Sequence, residues 1–184
     1  SIADLQLFTL ELWNRERIRD INAIRNNQSF TADATKYIDS RNTASGARIE
    51  HQFQTYLKEY QYSLVALMDR DGAPILYVGD STHGATGNLQ RMLTGPPRQS
   101  LDASTSSMNL TNDDRQLVVD TVAPLVGVEG QTIALLASSV SPDNQVFEAL
   151  EGVADPYDTL ETFLVKREGG LIIALHLSQK SGNE

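Results

Sequence analysis

Residues 2 to about 27 carry a ragged helical pattern: Ile2, Leu5, Leu12, Ile18, Ile21 and Ile24 form an apolar stripe, with Glu11, Arg15, Glu16, Arg19 and Asp20 between them. This predicts a long first helix. It opens without a capping box, and apolar residues from its second position fit the continuation of an upstream helix, such as one that crosses a membrane. Asn26-Asn27-Gln28-Ser29 interrupts the pattern. A shorter helix is expected over 31–41, with Ala34, Tyr37 and Ile38 on one side, and Thr43 and Ser45 are placed to cap a third. From Ala47, the set Ile49, Phe53, Tyr56, Leu57 and Tyr60 keeps the clearest helical period in the chain.

The character changes at Tyr62. Ser63 to Met68 is an apolar run too short for a stable helix, ended by Asp69-Arg70-Asp71-Gly72 and followed by Ile75 to Val78, which together predict a β-hairpin. The first run is apolar on both faces, so it is expected to be an interior strand. Gly79 to Pro97 reads as loop, with one or two helical turns around Leu89, Met92 and Leu93, and serine, threonine and asparagine dominate Ser100 to Asn112. A second hairpin is expected from Gln116 to Leu125 and Thr132 to Val140 around Gly127-Val128-Glu129-Gly130. Ser141 and Pro142 suit the start of a helix running to about Gly152. A third hairpin follows, Glu161 to Val165 and Leu171 to Leu177, around a turn at 166–170. Helices first, then strands in hairpins around a loop-rich middle, give an α+β fold with an antiparallel sheet.

Composition narrows the partners. With 24 acidic against 15 basic residues among 184, the net charge of −9 repels phosphate backbones, so nucleic acid is not an expected partner. The absence of cysteine removes disulfides, thiolate zinc sites and thiol nucleophiles. No stretch reaches the roughly 18 apolar residues of a membrane span, and no basic-then-apolar leader opens the chain. The expectation is a free-standing soluble protein or a piece of a larger one.

Candidate chemistry is sparse. Gly79-Asp80-Ser81 matches the nucleophile block of some lipase-like hydrolases, but His176 sits in an apolar strand with Ile173 where the family's aspartate would stand, so a turn is the favoured reading. Asp69-x-Asp71-Gly72 hints at a calcium loop, yet its glycine is misplaced and no glutamate closes it. His51, His83 and His176 share no metal spacing. No glycine-rich stretch continues into Lys-Ser or Lys-Thr, which excludes a phosphate-cradling loop. Trp13 is expected to pack. No catalytic residue, metal ligand or cofactor is assigned.

Four segments carry a resemblance: Tyr60 to Gly72, Val119-Asp120-Thr121-Val122-Ala123-Pro124-Leu125, Gly130 to Leu135, and Glu161 to Gly170. Their order and spacing resemble the extracytoplasmic PAS-like (double Cache) sensor domains of bacterial transmembrane receptors. In that family a long N-terminal helix leads into a strand ending in Asp-x-x-Gly, and an Asp-x-x-x-Pro-Leu strand comes later. The resemblance implies a helical region over 1–60 and a membrane-distal sensory module with a five-stranded antiparallel sheet over 61–140. Residues 141–184 would be a linker helix and the first hairpin of a partial membrane-proximal module. It also implies a pocket between the sheet and its covering segment, lined by Tyr77, Asp80, Arg91, Ser107, Asn109 and Asp120.

For Asp120 a solvent-facing strand position competes evenly with a pocket role, and for Tyr77 simple packing is favoured. The Arg-x-Trp-Tyr pattern of the amino-acid-binding branch is missing, Trp13 being the only tryptophan, so an amino-acid ligand is not expected. The implied function is non-enzymatic sensing of a small molecule in the periplasm by an inner-membrane protein, whether histidine kinase, diguanylate cyclase or chemoreceptor. The domain would be covalently linked to membrane-spanning and output modules and would form a homodimer through the first helix. The alternative is a module that binds a periplasmic partner protein without a small ligand.

Overall fold

In a computed structural model the described residues are 2–79, 105–110, 117–141, 163–168 and 171–177, with side chains described over 8–79 and 118–141. Three helices come first: α1 (Ile2–Arg25), α2 (Gln28–Ser40) and α3 (Thr43–Tyr60). Asn27 ends the first and caps the second, its Oδ1 accepting from the backbone N–H groups of Ser29 and Phe30 at 3.0 and 3.3 Å. That is why α2 starts three residues before the expected position: the polar interruption is the cap. The cap of α3 is likewise Asn42, whose Oδ1 accepts from Ser45 N–H at 2.9 Å, in place of the expected Thr43 or Ser45.

Both α2 and α3 stop at a residue in the left-handed region, Arg41 at φ 52° and Gln61 at φ 55°, where glycine is the usual occupant. The two helices pack closely at Gly46, where an added Cβ would stand 2.7 Å from the Tyr37 ring. Asp33 and Arg48 form a two-pronged ion pair between them, and Ser45 Oγ accepts a third bond from the guanidinium at 3.1 Å.

Five strands form one antiparallel sheet in the order β2-β1-β5-β4-β3. They are β1 (Leu64–Met68), β2 (Pro74–Gly79), β3 (Thr105–Leu110), β4 (Leu117–Val126) and β5 (Thr132–Val140). The β1–β2 turn is closed by Asp69, whose carboxylate accepts from Asp71 and Ala73 N–H at 2.9 and 2.8 Å, with Gly72 at φ 88°. All five residues of β1 are buried between β2 and β5, as its continuous apolar run requires. The fifth strand, β3, falls in the polar segment read as loop. It is an edge strand and needs only β4 as partner, so backbone pairing makes it a strand where side-chain pattern gave no signal.

The helices cover one face of the sheet. Ile21 and Ile24 of α1, Phe30 and Ala34 of α2, and Ile49 and Phe53 of α3 meet Val65, Leu67, Val119, Ala123, Leu125, Ala134, Leu136 and Val140. The Phe30 and Phe53 rings lie 5.8 Å apart, and Trp13 packs on the margin of this core. Burying side chains of this size is worth roughly 1.5–3 kcal/mol each, enough to hold helices that propensity alone would not.

β6 (Phe163–Glu168) and β7 (Leu171–Leu177) pair antiparallel in a second, two-stranded sheet, and β6 continues three residues into the segment expected to turn at 166–170. The helix expected over 142–152 and the helical turns around Leu89 lie outside the described residues.

Candidate ligand-binding face of the sheet

Strand alternation sorts the sheet residues into two faces. Val65, Leu67, Leu136 and their neighbours face the helices, and the intervening Leu64, Ala66, Met68, Val122, Leu135 and Ala137 form a second apolar cluster on the opposite face. Every helix residue of the core belongs to the first cluster, yet Leu64, Ala66, Leu135 and Ala137 are at most 2% exposed. These central positions of the second face are thus as closed to water as the first cluster, and no helix residue belongs to their cluster.

Into this apolar face the sequence places a carboxylate. Asp120 stands opposite Ser139 in the β4–β5 register, and Ser139 Oγ donates to Asp120 Oδ1 at 2.5 Å. Asp120 is fully buried, which removes the solvent-facing reading of this residue. A buried carboxyl group is costly unless hydrogen-bonded, and it remains a strong point of attraction for donors.

The registers locate the other expected site residues. One row across the sheet runs Gly79, Leu64, Ser139, Asp120, Ser107, and the next runs Tyr77, Ala66, Ala137, Val122, Thr105. Ser107 therefore sits directly opposite Asp120, and Asn109 lies two residues along β3, opposite Val118. Tyr77 is on edge strand β2, in the Ala66 row, and is 48% exposed, so it is not a core packing residue. Tyr77, Ser107, Asn109 and Asp120 thus occupy positions of one parity, those of the second face. Asp80 and Arg91 lie outside the described residues, as do Ser81 and His83. Among the described residues no three histidine or acidic side chains converge as metal ligands would.

Sequence reasoning passed over Ser139. The signal was present as two polar doublets, Asp120-Thr121 and Ser138-Ser139, each interrupting an apolar strand. In the sheet these doublets lie side by side. Asp120 pairs with Ser139 on the second face and Thr121 with Ser138 on the helix face, all four at most 1% exposed.

The helix face also carries a polar cluster that the apolar pattern did not announce. Arg17 of α1 pairs with Asp20 one turn on at 3.2 Å, reaches the carbonyl of Tyr60 at 3.4 Å, and lies over the Trp13 ring at 5.4 Å. Burial raises the Asp20 carboxyl above its ordinary value; Arg17 and Arg19 oppose the shift, and Glu16 adds to it. The Tyr62 phenol, 5% exposed, is pushed well above its usual range by burial and by Asp20, while Arg17 and the Ser138 hydroxyl act in the other direction. No hydrogen bond of normal geometry reaches the Tyr62 hydroxyl or Arg17 Nε, and both atoms are buried.

No family model matches the chain, and no curated protein matches it. Solved structures do. The sensor domain of the V. cholerae histidine kinase DctB aligns at a TM-score of 0.56 and 12% identity, covering 89% of this chain and 58% of that one. A domain of a putative sensory box/GGDEF family protein from Vibrio parahaemolyticus aligns at 0.49 and 14% identity, over 76% of this chain and 59% of that one. The extracellular domain of a putative histidine kinase, vpHK1S-Z8, aligns at 0.47 and 14%, over 81% and 61%. The chain spans less than two thirds of the length of each. Its fold, a long helix leading through two shorter ones into a PAS-like antiparallel sheet, is the sensor-domain fold of the DctB structure.

Proposed function

We propose that this chain is the ligand-sensing, extracytoplasmic part of a membrane-bound bacterial signal-transduction protein and is not itself an enzyme. The observation that carries the reading is the centre of the second face of the sheet, an apolar cluster closed to water beside the buried Asp120–Ser139 pair. Such a surface suits a small molecule that buries apolar area and directs a hydrogen-bond donor at one carboxyl group. The sensor-domain fold supports the same reading. Tyr77, Ser107 and Asn109, set along the same face, are the further lining residues, with Asp80 and Arg91 contributed from the segment that follows β2.

Ligand binding acts by differential affinity. A molecule that prefers one position of α1 shifts the population toward it by that preference and no more. No described helix is long and apolar enough to cross a membrane, so the spans and the output module belong to a longer parent protein in this proposal. Phe8 and Leu12, one helical turn apart on α1 and 57% and 48% exposed, supply an apolar strip for a parallel homodimer.

The test is a thermal-shift screen of the chain and its Asp120→Asn variant against small carboxylates, amines and sugars. Stabilisation of the parent by one class, lost in the variant, is the expected result. Absence of stabilisation by every class, with retention of a partner protein instead, would replace the proposal with the partner-binding alternative.

A further inference from the structure

Ser139 makes contacts on both sides of a strand. Its hydroxyl donates to Asp120 on the second face, while its carbonyl oxygen accepts two bonds from Ser63, from the backbone N–H at 2.9 Å and the hydroxyl at 3.0 Å. Ser63 is the residue after Tyr62, and Tyr62 is buried on the helix face in the core that holds Ile21 and Ile24 of α1. Two residues before Tyr62, the Tyr60 carbonyl accepts from Arg17 of α1 at 3.4 Å, and Arg17 also pairs with Asp20. A path of hydrogen bonds and one peptide link thus runs from Asp120 through Ser139 and Ser63 to Tyr62, which packs in the same core as Ile21 and Ile24 of α1.

The far end of this path is poorly satisfied. Arg17 Nε and Tyr62 Oη are buried without a hydrogen bond of normal geometry, so the seat of α1 combines apolar anchors and the Arg17 bonds to Asp20 and the Tyr60 carbonyl with two unsatisfied polar atoms. Such an arrangement is sensitive to small displacements, because a shift that admits water or an acceptor offsets part of what it loses.

We infer that the Ser139–Ser63–Tyr62 connection is a through-sheet coupling element that links the state of the Asp120 face to the seating of α1. Its strength is a coupling free energy, measurable as non-additivity between changes at its two ends. The inference deepens the sensing proposal by naming the route to the helix, but its test requires no ligand.

The experiment is hydrogen–deuterium exchange of the α1 amides over residues 13–25 in the 184-residue chain, with Trp13 fluorescence as a second readout of the helix seat. Removing the unsatisfied hydroxyl in Tyr62→Phe is expected to slow exchange in this stretch about threefold or more. Asp120→Asn is expected to change α1 exchange in the parent background and to have its effect reduced at least about threefold in the Ser63→Ala background. Should Asp120→Asn fail to fold, Ser139→Ala supplies the same perturbation from the neighbouring strand. Strictly additive effects, or an unchanged or faster α1 exchange in Tyr62→Phe, overturn the inference while leaving ligand binding at Asp120 to its own thermal-shift test.

Discussion

Ser139 and Asp120 face each other across β4 and β5, joined by a hydroxyl-to-carboxyl hydrogen bond in a setting otherwise made of leucine, valine, alanine and methionine. Removal of this bond is expected to be felt. Ser139→Ala should lower unfolding stability by about 1–3 kcal/mol, the range for depriving a buried polar group of its partner. Urea denaturation of the variant measures it, and a loss below about 0.5 kcal/mol would mean that the carboxyl group is satisfied without Ser139.

Gly79 ends β2 at φ 113°, and a Cβ there would stand 2.2 Å from the carbonyl oxygen of Ser63 and 2.9 Å from Leu64 Cα. Both obstacles are backbone atoms, which cannot rotate away. Gly79→Ala should therefore destabilise by at least about 2 kcal/mol, combining strain with a clash. Gly130, at φ 81° with nothing within 4 Å of its added Cβ, isolates the conformational part alone, and Gly130→Ala should cost only about 1 kcal/mol. Comparison of the two denaturation midpoints checks the difference.

Asn27 holds the first turn of α2 through two backbone N–H groups. Asn27→Ala should cost about 1 kcal/mol, and Asn27→Ser should recover most of it, because a serine hydroxyl accepts the same bonds. Thermal denaturation of the three proteins tests this; equal midpoints would deny the cap its role.

Asp33 and Asp20 respond to pH in opposite directions. The Arg48 guanidinium hydrogen-bonded to Asp33 holds its carboxyl below the ordinary value, so its contribution is complete above about pH 4 and is lost as pH falls through the lower, folded-state value. Asp20 is raised by burial, so the fold binds its proton more tightly than the unfolded chain does, and stability falls as pH rises from about 4 through the raised value. Asp33→Asn should flatten the acid limb of the stability curve. Asp20→Asn should remove the decline just above it. Denaturation midpoints between about pH 3 and 7 separate the two.

The helical half of the fold was legible because its apolar positions repeat at helical spacing. Ala34, Ile49 and Phe53 became core residues, and the β1 run became the interior strand that its two apolar faces demanded. What escaped was decided by groups the pattern does not weigh. Asn27 and Asn42 looked like interruptions and are caps. β3 looked like loop because its pairing with β4 is a backbone matter. Asp120 was marked, but its burial depends on which parity of β4 faces which layer, and a single strand read alone does not settle that. Ser139 acquires its meaning only when β5 comes to lie beside Asp120 and Ser63, 19 positions away in one case and 76 in the other.

Arg41 and Gln61, the two non-glycine residues held at positive φ among the described residues, close the two shorter helices at the joints where the helical layer turns. Each joint is kept in shape by its surroundings against the preference of its own backbone. The headroom for making this protein sturdier therefore lies at these two corners, the second of them immediately before Tyr62. Gln61→Gly relieves the backbone at the joint that leads into β1 and offers a sturdier scaffold on which the Asp120 face could be altered.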